Sequence, residues 1–469
     1  MNAKRISAIV AAGLMSIALV AQAQTIPDAH QWLSTVDRSS VFAEQPDALH
    51  FSAAAGEAPV IAVNDMQQFQ TIEGFGFAVT GGSAQLLMKM SAEKRSALLK
   101  LVFSPEGDGI GASYIRLSIG SSDMNDHVYS YDDMPKGQTD PSLAKFSLAP
   151  DEAEVIPVVK EILAIDPQIK ILGSPWSAPA WMKTNDDVRG GHLKPEFYAA
   201  YAQYLTKYVE GMKAEGISIA AITVENEPLN PKNTPSMAMF ADEEGTFIGK
   251  YLGPAFEAAG IKTEIQLYDH NPDVPSYPLS ILGDPVAGKY VSGTAFHLYG
   301  GDSTTFTAVH DAYPNKNLYM TEQSVTQWPG SNTLDVAGPV DFVMIGATRH
   351  WSRNALLWNL AADPKAGPHT NNGGCPSCWG AITLDGDKST FNVAYYVAAH
   401  FSKFVRPGSV RIGSTELDQL STAAFITPEG KIVVVADNTG NFPKTFRIFY
   451  HGQSVTTTLP SESVATFVW

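Results

Sequence analysis

Two short segments hold the side chains that acid–base work on a glycosidic bond requires: Glu225-Asn226-Glu227-Pro228 and Thr321-Glu322. Breaking an acetal takes one carboxylic acid to protonate the departing oxygen and one carboxylate to attack or stabilise the oxocarbenium-like centre. Glu227 and Glu322 each follow a short apolar run, residues 219–224 and 318–321. A gap of about 5 Å between them predicts a covalent intermediate and retained configuration, and a much wider gap predicts inversion. The sequence leaves both open. Asn226 is suited to the sugar 2-hydroxyl, a bond that strengthens in the transition state. In a regular strand Glu225 and Glu227 share a face with Asn226 opposite, so Glu225 competes for the acid role.

Other reactive or sugar-facing types gather at the ends of similar runs. Arg116 lies in the run 114–119, and Asp123 follows it; Trp176, Trp181 and Asn185 follow 169–174. Tyr268-Asp269-His270 ends the run from 264, His297 and Tyr299 end 291–298, and Trp358-Asn359 ends 355–360. Two residues apart, His297 and Tyr299 face the same way and are placed to orient Glu322. A tyrosine hydroxyl or the Arg116 guanidinium would hold Glu322 ionised, as a nucleophile needs. Each has a plainer reading: a glutamate in an ion pair, a histidine bonded in the core, a tryptophan packing the mouth of the fold. No His-x-His or Asp/His cluster marks a metal site at these ends, so neither metal nor cofactor is expected.

The elements that would position these residues repeat. Runs 72–80, 114–119, 169–174, 219–224, 264–268, 291–298, 318–321 and 355–360 alternate with helix-like segments such as 84–102, 195–215 and 340–352. Apolar strands alternating with amphipathic helices predict a (β/α)8 barrel, over residues 66–398, with reactive groups at the carboxyl ends of its strands. After about residue 400 the period changes to two: 417–427, 431–436, 445–450 and 454–469 read as antiparallel strands of a β-sandwich over 399–469. Residues 24–65 would contribute to the same sheet.

The chain of 469 residues carries a net charge of −16 and is 44% hydrophobic. That charge argues against nucleic acid, which needs clustered Lys and Arg. Lys4, Arg5, an apolar run over 6–20 and Ala21-Gln22-Ala23 read as a signal peptide cleaved near Ala23. The expected product is exported, periplasmic or extracellular, without stable membrane insertion. Cys375 and Cys378 are the two cysteines of the sequence. One CxxC is half a zinc site, and in an oxidising compartment the pair reads as a disulfide pinning a loop.

Taken together the motifs resemble glycoside hydrolase family 30, which includes lysosomal acid glucosylceramidase and microbial β-1,6-glucanases. The resemblance rests on Gly74-Phe75-Gly76, Ile115-Arg116-Leu117, Ser121-Ser122-Asp123, the segment 173–185 around Trp176, Thr223 to Pro228, Thr321-Glu322, Leu357-Trp358-Asn359-Leu360 and His400 to Phe404. It implies a barrel with a β-sandwich built from both chain ends. It also implies Glu227 as acid/base, Glu322 as nucleophile, and retention. Arg116, Asp123, Trp176, Asn226, His297, Tyr299 and Trp358 fall where the family lines its glucose subsite; Tyr268 and Asn359 complete the candidate substrate-binding set. One departure stands out: Gly81 replaces the acidic residue that usually follows the first strand. Gly367-Pro368-His369 and the cysteine loop favour β-1,6-glucan or its oligosaccharides, with glucosylceramide, a glycolipid, as the alternative. Xylan and a non-catalytic carbohydrate-binding role rank below both.

Overall fold

The structure, a computed structural model, describes residues 26–53, 56–327 and 331–469. The signal-peptide segment, residues 1–23, lies outside the described residues. Eight parallel strands close into a barrel: β1 Gly74–Val79, β2 Tyr114–Ile119, β3 Lys170–Pro175, β4 Ala221–Thr223, β5 Glu264–His270, β6 Val291–His297, β7 Asn317–Glu322 and β8 Ser352–Leu357. These are the eight runs read from the sequence, with ends displaced by up to three residues. Their residues are buried almost throughout, because helices cover the outer face and side chains fill the inner one. β8 pairs with β1 to close the ring, Asn354 opposite Gly74 and Leu357 opposite Phe77.

Two helical expectations need correction. Residues 84–102 are not one helix but two, Gly81–Lys89 and Ala92–Phe103. The break falls at Met90 and Ser91, both extended, where the Ser91 N–H donates to Asp387 Oδ1 at 2.6 Å. Ser91 is a good N-cap residue, so apolar periodicity ran across a cap signal. The segment 340–352 is helical only to Arg349, and Ser352 already begins β8.

The sandwich links nine strands. Their order is Gln453–Leu459, Lys444–Tyr450, Val60–Thr71, Val410–Ser414, Leu420–Ile426, Ile432–Asn438, Ser463–Val468, His30–Thr35 and Ala43–Glu44. Both chain ends therefore build it: His30–Thr35 pairs antiparallel with Ser463–Val468. The single strand expected over 454–469 is two, broken at 460–462 with Glu462 at φ 47°: Gln453–Leu459 pairs with Lys444–Tyr450, whereas Ser463–Val468 pairs with Ile432–Asn438 and His30–Thr35. The helix Val393–Ser402 lies between the two halves, its Phe401 ring against Phe75 of β1 on one side and Phe425 of the sandwich on the other.

Candidate active site

The carboxyl ends of the strands surround a cavity of about 180 Å³ lined by Asp123, Trp176, Glu227, Asn233, Tyr299, Glu322, Ser324, Trp358, Cys375 and Cys378. Glu322 ends β7 and Glu227 follows β4, across the barrel. A carboxylate oxygen of each and a ring nitrogen of His297 lie within 4.8 Å of one another. That spacing suits direct attack on the anomeric carbon rather than attack by an interposed water.

Arg116 is the anchor beneath them. Fully buried on β2, it donates to Glu322 Oε2 at 2.5 Å, Asp269 Oδ2 at 2.7 Å, Asn226 Oδ1 at 2.7 Å and Ser174 Oγ at 3.1 Å. Tyr299 donates its hydroxyl to the other oxygen of Glu322 at 3.0 Å. Asp269 collects Arg116, Thr321, Ser174 and Thr223, and faces His297 Nε2 at 3.1 Å. It is a hub that the sequence placed at a strand end without assigning it work. His297 Nδ1 lies 3.2 Å from Glu227 Oε1, and Asn230 and Asn233 donate to Glu227 Oε2 at 2.7 and 3.3 Å. The two asparagines went unread because they follow Pro228 in a stretch without periodicity.

The backbone explains which glutamate reaches the pocket. β4 ends at Thr223, and Glu227 adopts φ 49°, a left-handed conformation uncommon outside glycine. Its N–H donates to the Asp269 carbonyl, and Tyr268 and Asp269 are left-handed too, at φ 78° and 51°. Alternation therefore stops before the motif does. Glu227 lines the cavity and Asn226 reaches the Arg116 guanidinium beneath it, while Glu225 does neither. Burial pushes the Glu225 carboxyl far above its usual value, only partly offset by Lys183. Such strain costs of order 1–3 kcal/mol per residue and persists where surrounding bonds over-determine it.

Not every predicted residue arrives. Tyr268 turns into the core, its ring 4.7 Å from Tyr277 and its hydroxyl donating to the Asn271 carbonyl at 2.5 Å. Asn359 is buried beside Gly380, where a side chain would collide with its Oδ1, and it does not line the cavity. Trp181 is also core, donating to the Asp132 carbonyl. Trp176 and Trp358 do form pocket wall, 5.3 Å apart, with the Arg116 guanidinium 4.7 Å over Trp176. The Gly81 departure has a physical reading: a Cβ there would lie 2.0 Å from Asn125 Nδ2. Asn125 fills that corner instead, its Oδ1 accepting the Ser122 N–H at 2.9 Å.

Charge within the site is nearly balanced. Burial pushes Glu322 up, with the charge of Glu227 adding to it, against the pull of His297 and Arg116. Glu227 meets the same burial, but the bond and charge of His297 bring it down to about 2. Burial opposes a proton on His297, yet Glu322, Asp269 and Glu227 together raise it to about 10. His297 Nδ1 faces Glu227 Oε1 and its Nε2 faces Asp269 Oδ1, so the ring links the two carboxylates. Asp123 is pushed well up by burial and by both glutamate charges. Glu227, His297 and Glu322 each bring a potential ligand atom within 4.8 Å of the others. Cys375 and Cys378 are disulfide-bonded, S–S 2.10 Å.

Residues 72–405 match the glycosyl hydrolase family 30 TIM-barrel domain, and 408–467 match the family 30 beta sandwich domain. An endo-1,6-beta-D-glucanase of Trichoderma harzianum, BGN16.3, is 36% identical over 423 residues, covering 85% of this chain and 84% of its own. The lysosomal acid glucosylceramidase of Mus musculus is 29% identical over 440 residues, 88% and 84% of the two chains. Among solved structures, the endo-beta1,6-glucanase BT3312 superposes with a TM-score of 0.87 at 33% identity, over 94% of this chain and 99% of that one.

Proposed function

The chain belongs to glycosyl hydrolase family 30, and from that premise we propose that it hydrolyses β-1,6-glucan or its oligosaccharides with retention, Glu227 serving as acid/base and Glu322 as nucleophile. The observation that carries this reading is the approach of the two carboxylates to within 4.8 Å across one cavity. Glu322, held by Arg116 and Tyr299, attacks C1 while Glu227 protonates the departing oxygen, leaving a glycosyl ester on Glu322. Water, deprotonated by Glu227, then attacks C1 from the opposite face and frees Glu322. His297 Nδ1, 3.2 Å from Glu227 Oε1, is placed to exchange a proton with the acid/base. Asn226, gripped by Arg116, presents its amide toward the 2-hydroxyl position.

The substrate class rests on the higher identity to the 1,6-glucanases, 36% against 29% for the glucosylceramidase. Export rests on the Lys4 to Ala23 pattern, and no helix among the described residues is long and apolar enough to cross a membrane. Product analysis of the purified protein on a β-1,6-glucan, a β-1,3-glucan and glucosylceramide in detergent tests the reading. Short 1,6-linked sugars from the first substrate alone, released as the β-anomer by early NMR, are expected. Glucose and ceramide with glucans untouched would make it a glucosylceramidase; α-anomer released first would overturn retention.

A further inference from the structure

The loop 373–378 connects the two catalytic halves of the pocket. At its start Gly373, at φ 91°, lies so close to the loop carrying Asn233 that an added Cβ would sit 2.5 Å from the Lys232 carbonyl oxygen. Just before it, Thr370 donates its hydroxyl to the Thr234 carbonyl at 2.8 Å and its N–H to the Asp123 carbonyl at 2.8 Å. At its end Cys378 Sγ lies 3.6 Å from Ser324 Oγ, and the Ser324 N–H donates to the Tyr299 hydroxyl that bonds Glu322. Cys378 is buried with Ala78, Met124, Trp176 and Trp358, and both sulfurs line the cavity.

We propose that the Cys375–Cys378 disulfide is a specificity-determining wall of the substrate pocket, fixing the loop 373–378 between the Asn233 side and the Ser324 side so that the pocket keeps its shape for a glucan. This rests on the glucan reading above. A disulfide closing four residues on a surface loop would stabilise the fold whatever lay beside it. Here the two sulfur atoms are themselves pocket surface, and the chain of contacts from Cys378 through Ser324 to Tyr299 ends on the proposed nucleophile. Opening the bond frees the loop to move, and the substrate must then bear the cost of ordering it.

The test is a comparison of oxidised protein, protein reduced with a dithiol, and the variants Cys375→Ser/Cys378→Ser and Gly373→Ala. The dithiol supplies two electrons and two protons to give two thiols and is itself closed to a cyclic disulfide. Thiol counting and circular dichroism establish that reduction is complete and the fold kept. KM is then measured on 1,6-linked gluco-oligosaccharides and on an aryl β-glucoside with a good leaving group. Reduction and all variants are expected to raise KM for the oligosaccharide about tenfold, while kcat on the aryl glucoside changes by much less. A lowered Tm with KM unchanged in fully reduced protein would overturn the proposal, leaving the disulfide as a structural pin. A KM rise in Gly373→Ala alone would equally remove the disulfide from the account. If oxidised wild-type protein cleaves only the aryl glucoside, it is the glucan reading that fails, and the same KM comparison is read on that glycoside.

Discussion

Glu227 receives donors on both of its oxygens, His297 on one and the two asparagines on the other. An acid/base must exist in both protonation states within one turnover, and an amide serves either state by presenting its NH2 or, rotated, its oxygen. As drawn, Asn230 stabilises the anion. Asn230→Leu removes that bond, so the Glu227 proton is held more tightly, and activity, which needs it present, persists to higher pH. The alkaline limb of kcat/KM should move up by about one pH unit. An unmoved limb would show that Asn230 plays no part in setting the acid. The two glutamates are separable at this scale too. Glu322→Gln should lower kcat at least about 10⁴-fold on every substrate, since no ester can form. Glu227→Gln should cost about 10²–10⁴-fold on glucan and far less on an aryl glucoside whose leaving group needs no proton. Equal losses on both substrates would remove Glu227 from the acid role.

Between elements, the barrel closes through contacts that only glycine permits. Gly76 of β1 sits against β2 so tightly that a Cβ would lie 2.0 Å from the Tyr114 carbonyl oxygen. Gly76→Ala must push the two strands apart, and a loss of about 3 kcal/mol in unfolding free energy is expected by denaturant titration. A loss below about 0.5 kcal/mol would mean that the strands yield freely. This element level is also where the sequence was most legible. All eight barrel strands were visible because a buried parallel strand is a dense apolar run bounded by polar residues. Glu227 and Glu322 could be singled out as candidates because strand ends are where a barrel keeps its chemistry, and both line the same cavity. What was hidden depended on local backbone or on distant partners. With the left-handed turn at Glu227, Asn226 meets Arg116 beneath the cavity and Glu225 is left out, against simple alternation. Tyr268 is left-handed as well and turns inward among aromatic rings. His30–Thr35 pairs along its whole length with Ser463–Val468, at the other end of the chain.

The helix Val393–Ser402 bridges barrel and sandwich, and one buried histidine of that helix sits at the junction. His400 bonds Thr466 Oγ1 through Nδ1 at 2.9 Å and Ser34 Oγ through Nε2 at 2.8 Å, joining the connecting helix to both terminal strands. It is fully buried with hydroxyls as partners, and burial lowers its proton affinity from 6.5 to about 3. A lowered histidine acts on stability in the opposite sense to one that gains an anionic partner. Above pH 6.5 it is neutral in both folded and unfolded chains and contributes no pH dependence. As pH falls below 6.5 the unfolded chain takes up a proton that the folded one refuses, and stability drops until the folded pKa near 3 is reached. Between pH 6.5 and about 4.5 the loss should be about 2–3 kcal/mol. His270, His310 and His350 are also lowered, first of all by burial, and add to the slope in the same direction. His400→Gln retains a hydrogen-bonding side chain but cannot titrate. Its unfolding free energy, followed by denaturant titration across that range, should therefore fall less steeply than that of the wild type, whatever its absolute value. Parallel slopes for the two proteins would mean that His400 is protonated inside the fold, and that the two halves are joined there by a charge rather than by a neutral ring.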